Sequence, residues 1–309
     1  MSASGGTRAI FAALGANLGI ATTKFIAAAI SGSASMLAEG VHSLADSINQ
    51  ILLLVGGRRS RRAADAEHPF GYGRSRYVYA FIVSIILFSV GGVFSIYEGI
   101  EKIAEPHPLE TWWLPVVVLL ISIVLEAFSL RTAIKEAAPH KGDESWIRFI
   151  RHAKAPELPV LLLEDTAALV GLVLALFGVS LSVLTGDGIW DGIGTVLIGL
   201  LLVAVAVVLG IETSSLLVGE GASAGDADAI HRAILDGPEV DSIIHAKTLY
   251  LGPDELMLAA KVEMAPTVDL AEISSRIDIV ESRVREAVPT TRVIYLEPAV
   301  RVATAAPVD

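Results

Sequence analysis

Apolar positions in this chain run in long blocks rather than in stripes. Six stretches near the roughly 20 residues needed to cross a bilayer fall close to 9–31, 34–56, 77–99, 112–132, 158–181 and 190–217. Each predicts a helix. After about residue 222 charges become frequent and the apolar period shortens. Residues 226–236 read as a short helix. Residues 242–251 and 256–264 read as two strands joined by Gly252-Pro253-Asp254-Glu255, a turn sequence. Leu270, Ile273, Ile277, Val280, Val284 and Val288 form one helical stripe. Residues 291–297 read as a last strand. The order αββαβ predicts a small sheet with helices on one face. The pattern therefore divides the chain into a six-helix membrane domain over 1–217, an α/β domain over 218–301 and a loose tail over 302–309.

Composition agrees with the pattern. Of 309 residues, 53% are hydrophobic and 18% charged, with a mean hydropathy of +0.62, so the class is membrane protein before any motif is read. The net charge of −11 gives no footing for a nucleic-acid partner. There are no cysteines, which excludes disulfides and thiolate metal ligands. The opening residues, MSASGGTRAI, lack the layout of a cleaved signal peptide, so the first apolar stretch is expected to be retained.

Charge in the connections then orients the spans. Loop two carries Arg58, Arg59, Arg61, Arg62, Arg74 and Arg76. Loop four carries Arg131, Lys135, Lys141, Arg148, Arg151 and Lys154. Loops one and five have no Lys or Arg, and loop three has Lys102 alone among three Glu. The positive-inside rule puts loops two and four, and hence both termini, in the cytoplasm. A bacterial inner (plasma) membrane is the expected location.

Against this apolar background a few polar residues stand out. His42 and Asp46 lie four residues apart in the second stretch, on one helix face and one turn apart. Imidazole and carboxylate are both ligands for a divalent metal such as zinc. An ionised carboxylate near the bilayer centre costs about 3 kcal/mol on insertion scales, so such groups usually mark a pathway. Asp46 lies about 18 Å below the outer end of its span, at 1.5 Å per residue. Asp165, in Leu163-Glu164-Asp165-Thr166 of the fifth span, lies about 11 Å above the inner end. In a core of about 30 Å these depths nearly coincide, so His42, Asp46 and Asp165 can converge. A buried hydrogen-bonding cluster is the plainer alternative. Glu164 is about 100° around the helix from Asp165 and reads as a fourth ligand, a proton carrier or a partner for another polar group. Glu39, one turn before His42, either lines an entry path or sits near the outer interface. Asn17, Lys24, Asn49, Gln50 and Glu126 read as interhelical hydrogen-bonding groups, and Gly15 and Gly19 as a small-residue packing pair. In loop two, Asp65 and His68 could hold a metal or simply structure a turn.

Taken together, these residues resemble the cation diffusion facilitator family of divalent-metal/proton antiporters. The resemblance is carried by Ala38-Glu-Gly-Val-His42-Ser-Leu-Ala-Asp46, by His68-Pro-Phe-Gly-Tyr-Gly-Arg74 and by Asp191-Gly-Ile-Gly. In span five, Leu163-Glu-Asp-Thr-Ala-Ala-Leu169 looks like the zinc transporter nine-like branch. The family's transport site is two i, i+4 ligand pairs, on spans two and five. His42 and Asp46 match one pair and Asp165 matches one member of the other. Leu161 stands where the fourth ligand is expected, leaving Glu164 or water to complete a tetrahedral site. A site with one imidazole is harder than one with two, which shifts preference from zinc toward Mn²⁺ or Fe²⁺. Asp65 and His68 match two ligands of a second family site, with Tyr72 in the third position. His245 and Glu297 match C-terminal metal positions, but Lys261 and Tyr295 replace others. The resemblance also implies a ferredoxin-like, dimerising cytoplasmic domain and an Arg74–Glu220 charge pair bracing the homodimer.

These residues and the resemblance together imply a non-enzymatic exporter of a divalent cation in exchange for protons, needing no cofactor. A hydrolase would require a metal-bound water and a separate base, and no His-Glu-x-x-His pattern occurs. A membrane metal sensor that binds without transporting is the remaining rival.

Overall fold

The computed structural model describes residues 3–109, 111–265 and 269–300, with side chains from residue 17 onward. These fall into two compact units, one of Met1–Arg58 and Arg76–Ser214, the other of Arg59–Ser75 and Ser215–Asp309. The tail expected at 302–309 lies outside the described residues.

The first unit is helical. Its long elements are α1 (Ala3–Ser31), α2 (Ala34–Arg59), a rod made of α3 (Ser75–Ile86), a π-helical segment (Leu87–Val93) and α4 (Phe94–Ala104), then α5 (Trp113–Lys141), α7 (Glu157–Thr185) and α8 (Ile189–Val218). The short α6 (Trp146–His152) precedes α7. Four of these, Ser75–Ala104, Trp113–Lys141, Glu157–Thr185 and Ile189–Val218, are long and apolar enough to cross a membrane. At 26 residues α2 is about 39 Å long, but Glu39, His42, Asp46, Asn49 and Gln50 dilute its apolar content. Leu125, Val124, Phe128, Phe177 and Ile211 are exposed on the outer faces of these helices, as lipid-facing surface should be.

The apolar interior gathers Met36, Leu87, Leu119, Leu172, Ile198, Leu202 and Leu209 from five segments of the bundle. Several of the helices meet through glycines. A Cβ on Gly19 would meet nothing within 4 Å, whereas one on Gly199 would stand 2.7 Å from the Ile96 nitrogen and 2.8 Å from the Gly92 carbonyl oxygen. Gly15 is outside the residues whose side-chain surroundings are described. Close backbone approach through small residues is how helices associate in a medium as apolar as their side chains. The π-helical turn ends one residue past Gly92; π-turns of this kind commonly sit at functional positions in helices.

Asp191, on the first turn of α8, is fully buried and caps α2 from outside. Its carboxylate accepts from the Ala34 amide at 2.7 Å, the Ser33 hydroxyl at 2.9 Å and the Ser35 amide at 3.3 Å. These are the amide donors that a helix start leaves without an intrahelical partner.

The second unit holds α9 (Ala224–Leu235), β1 (Ser242–Gly252), β2 (Glu255–Glu263), α10 (Leu270–Ala287) and β3 (Thr291–Ala299). The sheet order is β1-β2-β3, with β1 and β2 an antiparallel hairpin and β2 and β3 parallel. A parallel pair needs a long crossover, and α10 supplies it. Alternate residues of β2, Leu256, Leu258, Ala260 and Val262, are buried against Ile230, Ile234, Val280 and Val284 of the two helices. The pKa of Tyr250 is pushed up to about 12 by burial first, then by the charge and hydrogen bond of Asp226. The loop 59–75 belongs to this unit: Gly73 lies so close to β1 that a Cβ would come within 2.5 Å of the Leu251 carbonyl.

Candidate metal-binding site

The candidate ligands are held by α2 and α7. His42 is 1% exposed, and neither ring nitrogen has a hydrogen-bond partner among the described residues. Its Nδ1 stands 3.5 Å from Asp46 Oδ1. A buried imidazole normally finds a partner, so an unsatisfied one beside a carboxylate fits a ligand better than a structural bond.

Two contacts bracket this pair against α7. Asn49 Nδ2 donates to Glu164 Oε1 at 2.7 Å. Ten residues earlier, Glu39 Oε1 points at the bare Cα of Gly171, where a Cβ would be 2.8 Å away. The two helices therefore run antiparallel here, and Asp165, next to Glu164, lies toward the Asn49 end of this segment, within charge range of Asp46. Asp165 is buried and its Oδ2 accepts from Ser129 of α5 at 3.0 Å. Asp46, Glu126, Glu164 and Asp165 stand near enough to sense one another's charge. No set of three or more His, Asp or Glu among the described residues is gathered as tightly as a bound ion would need. His42 and Asp46 come together; Asp165 is turned to Ser129, and Glu164 is engaged by Asn49. Leu161 packs in a small apolar cluster with Ala133, Phe149 and Leu162, far in character from a ligand.

Lys24 and Glu39 carry separate expectations in the sequence, yet they form a buried ion pair, Nζ to Oε2 at 2.9 Å, with Lys24 also donating to Ser43 Oγ at 2.8 Å. Two opposite charges in consecutive apolar stretches were the available signal. Asn17 and Gln50 form the interhelical bond of the kind expected, at 3.2 Å.

Asp65 and His68 build a turn. Asp65 accepts from the His68 amide at 2.8 Å, the Glu67 amide at 3.1 Å, the Tyr72 hydroxyl at 2.7 Å and Arg62 at 3.2 Å. The Tyr72 hydrogen bond, foremost, holds the Asp65 carboxyl below the usual range. His68 stacks on Tyr72 with ring centres 4.3 Å apart. Arg74 donates to the Tyr250 carbonyl at 3.4 Å, and Glu220 Oε1 accepts from Ser215 at 2.6 Å. In the C-terminal sheet Lys261 takes Glu297 Oε1 at 2.6 Å and lowers the Glu297 pKa, while His245 faces Lys261 across the hairpin.

A bundle of apolar helices that buries an imidazole and several carboxylates keeps metal-ligating side chains where such groups are rare. This chain belongs to the cation efflux family: residues 10–218 match the cation efflux transmembrane domain. It is 31% identical over 267 residues to the proton-coupled zinc antiporter SLC30A9, mitochondrial, of Xenopus laevis, covering 85% of this chain and 48% of that protein. It is 32% identical over 258 residues to metal tolerance protein C4 of Arabidopsis thaliana, covering 83% and 56%. A more distant likeness, 27% over 143 residues, links it to magnetosome protein MamM of Paramagnetospirillum magneticum, covering 42% and 45%. The chain spans about half the length of the curated relatives it matches.

Proposed function

We propose that the protein is a homodimeric antiporter exporting a divalent cation, zinc foremost, in exchange for protons. The observation that carries this reading is His42, buried beside Asp46 with both ring nitrogens unpartnered among the described residues, on a helix that meets the one carrying Asp165. Relatives named as proton-coupled zinc antiporters support the choice of zinc and of protons. Six spans with cytoplasmic termini follow from the basic second and fourth loops and from α1 and α2 being long enough to span. The C-terminal unit, with its β2-α10-β3 crossover and paired helices, is read as a ferredoxin-like cytoplasmic domain through which two copies join. Arg74 and Glu220, both of which meet the backbone of Tyr250, would brace that end.

The chemistry follows from the ligands. A metal requires a neutral imidazole and ionised carboxylates, so loading expels protons. With the site open to the more acidic side, protons compete for His42, Asp46 and Asp165 and the cation leaves. α2 and α7 move relative to their scaffold to expose the site alternately. Glu164, one of whose oxygens is held by Asn49, could ligate through the other; water is the alternative fourth donor. A Mn²⁺ or Fe²⁺ exporter of the same fold is the alternative, because one imidazole among carboxylates is a hard donor set. Uptake of Zn²⁺, Mn²⁺, Fe²⁺, Co²⁺ and Cd²⁺ into proteoliposomes under an imposed pH gradient tests the reading. Zinc flux that vanishes in Asp46→Ala supports it. Proton-independent or undetectable flux of every ion overturns it.

A further inference from the structure

Lys24 is 3% exposed, deep in the helical unit, and its ammonium is held by Glu39 Oε2 and Ser43 Oγ. Glu39 is fully buried, and its other oxygen, Oε1, has no hydrogen-bond partner among the described residues. That oxygen stands against α7 at Gly171, 2.8 Å from where a Cβ there would be. Glu39 also lies three residues before His42, a spacing that puts both on one face of α2 about 5–6 Å apart at Cβ. An anionic oxygen thus stands beside the candidate ligands, aimed at the helix that carries Asp165.

A free carboxylate in that place would be a ligand for a hard or borderline cation. One neutralised by an ammonium at 2.9 Å offers the metal far less. Transport needs a site that binds well enough to load and weakly enough to empty. We propose that Lys24 masks Glu39, a latent oxygen ligand, and thereby sets the affinity and release rate of the His42–Asp46–Asp165 site. This rests on that site being the transport site.

Purified Lys24→Gln protein is tested by equilibrium zinc binding in detergent and by zinc flux in proteoliposomes. Unmasking Glu39 should tighten Kd and KM by about tenfold, the scale on which outer partners tune metal affinity, and should slow turnover. Lys24→Arg should stay near the wild-type values. The double variant Lys24→Gln/Glu39→Gln, which has no latent ligand, should return Kd to near wild type. A pair that is only structural would lower folded yield without this split between affinity and turnover. Equal or weaker zinc binding by Lys24→Gln, or a double variant as tight as the single, overturns the proposal. If Lys24→Gln gives no folded protein, Glu39→Gln decides. It leaves an unpaired ammonium beside the site and must weaken Kd several-fold; an unchanged Kd overturns the masking. Asp46→Ala, run alongside, separates the two claims: full flux there removes the transport site itself, whatever Lys24 does.

Discussion

At the scale of single residues, His42 differs from the other buried polar side chains of the bundle in that both of its polar atoms lack a hydrogen-bond partner among the described residues. Asn49, through its Nδ2, gives the buried Glu164 a donor from a neighbouring helix. Asn49→Ala removes that donor while the carboxylate stays buried, which should cost roughly 1–3 kcal/mol. Thermal unfolding in detergent should show a lowered Tm, and an unchanged Tm would mean that Glu164 finds another partner. Asp65 illustrates a pH effect outside the bundle. Its pKa is depressed in the folded loop by Tyr72 and by backbone amides, so its contribution is present at neutral pH and is lost as pH falls through that lowered value. Limited proteolysis at loop 59–75 should therefore quicken in acid in the wild type. In Asp65→Ala it should be quick already at neutral pH.

At the scale of elements, α2 is fixed at its first turn by a side chain from α8. Asp191→Ala strips the acceptor from two amides and a hydroxyl and should cost about 1–2 kcal/mol, the range of a lost helix cap, while Asp191→Asn should cost less. Hydrogen exchange at Ala34 and Ser35 reads this directly: faster exchange is expected in Asp191→Ala, and unchanged protection would rule out the capping role. Asp191 stands 157 residues from Ala34, which is why the sequence showed it only as part of a motif, without a task. Apolar run length revealed where helices are, because a bilayer-length block has few alternatives. It misjudged their ends: α5 runs on to Lys141, nine residues past the predicted stop, since a charged segment can continue a helix once it leaves the apolar layer. The strands of the second unit were legible to within two residues because alternation and a Gly-Pro-Asp turn are local signals. The π-helical turn and the Lys24–Glu39 pair were not, the first because Gly91 and Gly92 carry no period, the second because it joins two helices. The Gly-Tyr-Gly-Arg run also gained a physical reason, with Gly73 letting loop 59–75 lie against β1.

At the scale of the whole molecule, the bundle joins its helices in two ways. Glycine contacts such as Gly92 with Gly199 lock the α3–α4 rod onto α8. α2 and α7 share apolar packing around Met36 and Leu172 and add the Asn49–Glu164 hydrogen bond and the Glu39–Gly171 approach, polar contacts that side-chain rearrangement can remake. Metal binding by His42, Asp46 and Asp165 would draw Asp165 away from Ser129 and close these two helices on the ion. The proposed transport therefore stands or falls with these three residues as the cation's carriers. Zinc flux into proteoliposomes under an inward-driving pH gradient probes them most directly, for wild type, Asp46→Ala and Asp165→Ala at matched reconstitution. Proton-driven flux is expected in the wild type, with its loss in both variants. Either variant carrying zinc at the wild-type rate would contradict the assignment.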